Sequence, residues 1–102
     1  MAYKLSRKAE EDTIAVFVAG IEQFGLLQAE RYHDELEKCF QFLAENPKAA
    51  RERYEITPPV RVHPFESHLI IYTVDEDDDV FIVRVRHGHE DWLSAGYKSS
   101  EF

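Results

Sequence analysis

The stretch Pro59–Gly88, PVRVHPFESHLIIYTVDEDDDVFIVRVRHG, decides the fold. Its three runs rich in Val, Ile, Tyr and Phe, from Val60 to Phe65, Leu69 to Val74 and Val80 to Val85, predict three strands. Glu66-Ser67 separates the first two, and the acidic run Asp75, Glu76, Asp77, Asp78, Asp79 separates the last two. Asp is depleted in strands and tolerates turn conformations, so the acids mark a hairpin tip. Connections this short join only antiparallel neighbours, which makes the stretch an antiparallel meander. In the last strand, alternation puts Phe81, Val83 and Val85 on one side, the expected core face, and Ile82, Arg84 and Arg86 on the other.

Upstream, Ala2 to Leu5 suits a first strand, and Ser6 is placed to cap a helix whose first turns hold Glu10, Glu11 and Asp12, favoured there by the helix dipole. From Arg7 to about Gln23 the positions Ile14, Phe17, Val18, Ile21 and Phe24 recur at helical spacing and predict one buried stripe, ended by Gly25. From Leu26 to about Glu45 the stripe is Ala29, Tyr32, Leu36, Cys39, Phe40 and Leu43, with Asn46-Pro47 as the stop. So tight a connection makes the helices an antiparallel pair, and each stripe is expected to bury against the sheet. Lys48 to Pro58 has no period and reads as a loop, and the tail from Glu90 carries Trp92, Leu93, Tyr97 and Phe102 for docking on the sheet. The expected fold class is α+β: an antiparallel sheet of the N-terminal strand plus the meander, packed on an antiparallel helical hairpin in the order β-α-α-β-β-β.

A length of 102 residues fits one domain, and no apolar run approaches the roughly 20 residues of a membrane helix. The N-terminus lacks the apolar segment of a secretory signal, so a cytosolic location is expected. Cys39, alone and at helical spacing among apolar residues, reads as an inert buried thiol. Twenty acids against twelve bases give a formal charge of −8, which opposes non-specific binding to nucleic acid or anionic membrane. Arg51, Arg53, Arg61, Arg84, Arg86, His63, His68, His87 and His89 all fall in the second half, a distribution that leaves room for a local basic surface on an acidic body.

A metal-independent nuclease needs a base, cations for the phosphorane charge and an acid; Arg61, His63, His68, Arg84, Arg86, His87, His89 and Tyr97 are the residues that could supply them. Pairing of the arginines with surplus acids, and of the histidines with strand ends, is the plainer reading. His87, His89 and Asp91 fall short of the convergent ligands a zinc site requires, and Asp75 to Asp79 lack the Gly and terminal Glu of a calcium loop. No Gly-rich phosphate loop, serine elbow or spaced carboxylate pair occurs, and no cofactor or metal is expected.

Three segments then converge on a known pattern: Tyr3-Lys4-Leu5-Ser6-Arg7-Lys8-Ala9-Glu10-Glu11-Asp12, then Phe24-Gly25 with Gln28-Ala29 and Tyr32, and finally Arg84-Val85-Arg86-His87-Gly88 with Asp91. With the strand, helix, helix, three-strand order, and with His68 and Tyr72 matching an H-x-x-x-Y pattern in the middle strand, the chain resembles the ParE toxins of type II toxin–antitoxin pairs, within the RelE/ParE superfamily. The resemblance implies a non-enzymatic protein that inhibits DNA gyrase, is neutralised by a ParD-like antitoxin in a hetero-oligomer, and binds neither nucleic acid by itself nor membrane. It implies as an alternative a RelE-like ribosome-dependent endoribonuclease, with Arg61, Arg84 and Arg86 standing for the arginines and Tyr97 for a tail tyrosine. No lysine matches that set, since Lys48 precedes the strands and Lys98 follows Tyr97, which favours the ParE branch. The net charge departs from the basic character usual in the superfamily and points to a variant whose target differs or whose toxicity is weak. Candidate target-binding residues are Arg84, Arg86, His87, His89 and Trp92, with Arg61 and His63 weaker; candidate antitoxin-binding residues are Phe17, Ile21, Tyr32 and Phe65.

Overall fold

A computed structural model describes residues 2–88. The chain runs β1 (Tyr3–Leu5), α1 (Arg7–Phe24), α2 (Leu26–Glu45), β2 (Glu52–Arg53), β3 (Val60–Phe65), β4 (His68–Val74) and β5 (Val80–His87). The strands form one sheet in the order β1-β5-β4-β3-β2, with the two helices paired and laid against it. The meander and the helical hairpin are as expected from the sequence. Strand number and the direction of β1 differ. Within Lys48 to Pro58, read as loop, Glu52 and Arg53 pair with Arg61 and Val60 as a fifth strand. And β1 runs parallel to β5, Tyr3 opposite Val80 and Leu5 opposite Ile82, because α1 crosses the sheet face before the chain returns as a meander.

Two of the turns use residues that their geometry favours. Gly25 ends α1 and begins α2 at φ 88°, a left-handed value that glycine adopts without strain. At the β4–β5 tip one Asp75 carboxylate oxygen accepts from the Asp77 and Asp79 amides at 2.8 and 3.0 Å, and Asp78 takes φ 62°.

The faces of β5 are not those that simple alternation gives. Ile71 stands opposite Arg84 whereas Tyr72 stands opposite Ile82, so Val83 is an extra residue, a β-bulge that breaks the period of two. Val80, Ile82 and Val85 therefore join Ile70, Tyr72, Leu36, Phe40 and Leu43 beneath the helices, while Val83 and Phe81 pack with Ile56, Val60 and Ile71 on the far side. The expected core face of Phe81, Val83 and Val85 is thus corrected: Val85 lies on the helix side as expected, but beside Ile82, while Phe81 and Val83 lie on the far side.

The stripe expected on α1 is corrected as well. In α2 the predicted face is the buried one, with Ala29, Leu36, Phe40 and Leu43 inside. In α1 only Ala9 and Thr13 are buried, whereas Ile14, Val18 and Phe24 are 64, 46 and 68% exposed. Two anchors set this orientation. The Ser6 hydroxyl accepts from the Ala9 amide at 2.9 Å, capping α1, and donates to the Val83 carbonyl at 2.6 Å. Farther along, Asp12 accepts from Arg84 Nε at 2.8 Å and its second guanidinium nitrogen at 3.1 Å, and from the Val85 amide at 3.0 Å. β1 stops opposite Ile82, and Asp12 satisfies the backbone donor that β5 presents beyond it. Pinned at both points, α1 turns its small residues inward: a Cβ at Gly20 would sit 3.3 Å from Ala29 Cβ, so the helices meet there through glycine.

Tyr72 ties the α2–β2 connection to the sheet. Its buried hydroxyl donates to the Pro47 carbonyl at 2.9 Å and accepts from the Ala50 amide at 3.2 Å. His63 on β3 packs against Phe42 of α2, and burial lowers its pKa from the ordinary 6.5.

Asp12→Ala removes the carboxylate from two side-chain donors and one backbone donor at a site where the pair's side chains are only 12 and 16% exposed. It is expected to lower unfolding free energy in urea by roughly 2–4 kcal/mol. Asp34→Ala on the exposed face of α2 should stay within about 0.5 kcal/mol; equal effects would show that the clamp is not a principal restraint. Because the folded pKa of His63 lies below its unfolded value, the stability this residue contributes is complete above the unfolded value and is lost as pH falls through the folded one. His63→Gln should accordingly flatten part of the loss of stability between about pH 7 and pH 5; parallel profiles for the two proteins would exclude that role.

Candidate functional site

The helical hairpin and the end of the sheet enclose an open groove of about 680 Å³. Phe17 and Gly20 of α1 and Ala29 and Tyr32 of α2 line one wall, and Phe65, His68 and His87 line the other. The register explains the second wall: Phe65 pairs with His68 and His68 with His87, so three neighbouring strands present these side chains toward α2. Tyr32 crosses the groove, its hydroxyl 2.7 Å from His68 Nδ1 and its ring edge-on to Phe65 at 5.2 Å. His68 in turn meets His87 edge-to-face at 5.2 Å. Burial raises the Tyr32 pKa, so the phenol stays protonated at neutral pH and is the natural donor to His68 Nδ1. Behind the histidines the Gly88 amide donates to the Ser67 carbonyl at 2.7 Å, and a Cβ at Gly88 would lie 3.1 Å from that oxygen, so a glycine suits this crossing.

Outside the groove, α1 shows a second surface. Ile14, Val18 and Ile21 follow one another at intervals of four and three, the spacing of a helix-packing seam, and Phe24 extends it toward the turn, where Leu26 and Leu27 are also exposed. The helix thus carries a run of large apolar side chains on an exposed face.

The sequence-predicted antitoxin residues thus divide. Phe17, Tyr32 and Phe65 are half-buried and come together in the groove, whereas Ile21 belongs to the outer seam. Phe17 also meets His33 of α2 at 5.7 Å. The target candidates are more scattered. His87 is in the groove; Arg84 is held by Asp12; Arg61 donates to the Ala50 carbonyl at 2.6 Å and lies 4.0 Å from the Glu52 carboxylate. Arg86 is half-buried opposite Leu69. His89 and Trp92 lie outside the described residues, as do Asp91 and Tyr97.

Of the stripe Ile14, Phe17, Val18, Ile21 and Phe24 that spacing predicts as core, all but Phe17 are exposed. A rival signal was present: Ala9, Thr13, Val16 and Gly20 also recur at helical spacing, and their small or modest side chains permit closer packing than Ile14 or Phe24. Among the described residues, no group of three or more His, Cys, Asp or Glu side chains could hold a metal ion, and no helix is long and apolar enough to cross a membrane. Aromatic and apolar walls with a few fixed polar atoms suit the groove to a peptide or protein segment.

The family model described as ParE toxin of type II toxin-antitoxin system, parDE, matches residues 3–92. A protein named Toxin ParE1 from Mycobacterium tuberculosis, found alike in strains CDC 1551 / Oshkosh and H37Rv, is 32% identical over 89 residues, covering 87% of this chain and 91% of the relative. Toxin ParE1 of Caulobacter vibrioides is 29% identical over 85 residues, covering 83% and 86%. Among solved structures, a chain from the chromosomal ParDE TA system of P. aeruginosa superposes with a TM-score of 0.73 at 20% identity, covering 85% of this chain and 95% of that one. With the family pattern extending from the first strand past the last, the chain belongs to the ParE toxin family of type II toxin–antitoxin systems.

Proposed function

We propose that this ParE toxin acts without catalysing a reaction, by binding DNA gyrase and blocking its cycle, and that a ParD-like antitoxin neutralises it by covering the helical hairpin and the adjoining groove. The observation that carries the antitoxin part is the seam Ile14, Val18, Ile21 and Phe24, left exposed on a helix that buries Ala9 and Thr13 instead. An apolar surface of this kind on a small domain calls for a partner. Phe17, Tyr32 and Phe65 are the groove residues proposed to meet the same antitoxin, with Ile21 joining from the seam.

The non-enzymatic reading is supported by how the cations are used. Arg84 and Arg61, which a RelE-like nuclease site would require, are turned to Asp12 and to the Ala50 carbonyl. For gyrase contact the candidates are Arg86 and His87 at the end of β5, together with His89 and Trp92 beyond the described residues; Arg61 and Arg84 serve chiefly to hold the sheet end in place. Binding takes place inside the producing cell.

Expression of the chain alone should arrest growth with a DNA-damage response, and the purified protein should inhibit gyrase supercoiling at about micromolar concentration, while mRNA in translating ribosomes stays intact. His87→Ala should weaken gyrase inhibition by about tenfold, the loss of a binding hot spot, and unchanged inhibition would remove His87 from the contact. Growth arrest with intact supercoiling and cleaved mRNA would replace this reading with the nuclease one.

A further inference from the structure

The hairpin combines an exposed apolar seam with a strong excess of negative charge. Over Arg7–Phe24 and Leu26–Glu45 there are nine acids and four bases, so most of the chain's net −8 resides on these two helices. The placement is as informative as the total. Glu10 lies four residues before Ile14 and Glu22 four after Val18, and residues at that interval share a helix face. At the turn, Glu30 lies four residues after Leu26, and Asp34 lies seven after Leu27, which is itself 73% exposed. All four acids are exposed. Arg7 and Lys38 are matched locally by Glu11 and Glu35, each at 3.6 Å, and Arg31, exposed four residues after Leu27, is the base nearest the turn, so the acidic rim is that of Glu10, Glu22 and Glu30 beside Ile14, Val18 and Leu26.

From this we infer that the hairpin face selects a partner segment of a defined chemistry: an amphipathic helix whose apolar seam is flanked by Lys and Arg. The inference rests on the antitoxin reading above and specifies the charge of the antitoxin segment that reading requires. The apolar seam supplies the contact area, and the acids beside it reward a basic rim and repel an acidic one. Charge also decides against a second copy of this chain as the occupant, because two hairpins facing one another would bring like-charged rims together.

The test uses the purified full chain and two synthetic peptides of roughly 18 residues with the same Leu/Ile seam, one flanked by Lys and Arg and the other by Glu, with affinities measured by calorimetry. The basic peptide should bind about tenfold or more tightly than the acidic one, and the difference should shrink between about 50 mM and about 500 mM salt. Ile14→Asp should abolish binding of both peptides. The triple variant Glu10→Lys, Glu22→Lys, Glu30→Lys should cancel or reverse the preference, with unchanged circular dichroism certifying the fold of each variant. Equal affinities, a preference for the acidic peptide, a preference that survives the triple variant, binding that survives Ile14→Asp, or no binding of either peptide would overturn the inference. Self-association of the chain that Ile14→Asp abolishes would overturn it in favour of a second copy. Failure of the antitoxin reading is read separately: it appears as growth arrest that no co-expressed ParD-like protein relieves, whichever peptide the hairpin prefers.

Discussion

The contact between Asp12 and the β5 segment Arg84-Val85 fixes how α1 is rotated on the sheet, and the surface of the protein follows from that rotation. A carboxylate that accepts from a guanidinium and from a strand amide is a charge-assisted contact in two directions, which gives it angular as well as radial restraint. Ser6 provides the second fixed point by capping α1 and bonding to the Val83 carbonyl of the same strand. Between these anchors the helix cannot roll without breaking a partly buried ion pair and exposing the Val85 amide. Rolling would also bring bulkier side chains to the place where Gly20 lets α1 approach Ala29.

The bulge at Val83 is the sheet's contribution to the same arrangement. It lets Ile82 and Val85 both face the helices although they are three residues apart, and it leaves Arg84 between them, within reach of Asp12 around the edge where β1 has ended. A regular strand would put Ile82 and Val85 on opposite sides, and one large apolar residue would leave the core. The same irregular segment thus completes the core and supplies the cation that orients α1. Farther along β5 the chain reaches His87, whose ring meets His68 and closes the groove that Tyr32 bridges.

Much of this architecture could be read from residue order. The three strands of the meander, both helices, the Ser6 cap and the Gly25 turn all carry local signals, and so does the buried face of α2, where large apolar residues have no small-residue competitor. What could not be read depends on contacts between residues far apart in sequence. β2 is two residues long and exists because β3 offers an edge to pair with. The bulge at Val83 breaks the period of two, so alternation alone put Phe81 and Val83 on the helix-covered core face, where Ile82 stands beside Val85 instead. For α1 the largest side chains outvoted Ala9, Thr13 and Gly20, although closeness of approach is set by the small ones. Of the four residues expected to meet the antitoxin, on the ground that a small domain has more large side chains than it can cover, Phe17, Tyr32 and Phe65 come together in the groove and Ile21 does not.

The exposed seam on α1 is therefore the counterpart of the clamp, not a flaw in packing. Fully burying a side chain such as Ile14, Val18 or Phe24 is worth roughly 1.5–3 kcal/mol, so leaving the seam in water forgoes a substantial gain. Hydrophobicity alone would turn these residues toward the sheet, but the Asp12 contact and the Gly20–Ala29 approach hold a different face there. The forgone burial is still available to any partner that covers the hairpin, and the surrounding acids restrict which partners can take it. Folding stability and partner choice thus meet on one helix, with Asp12 inside and Ile14 outside two residues apart.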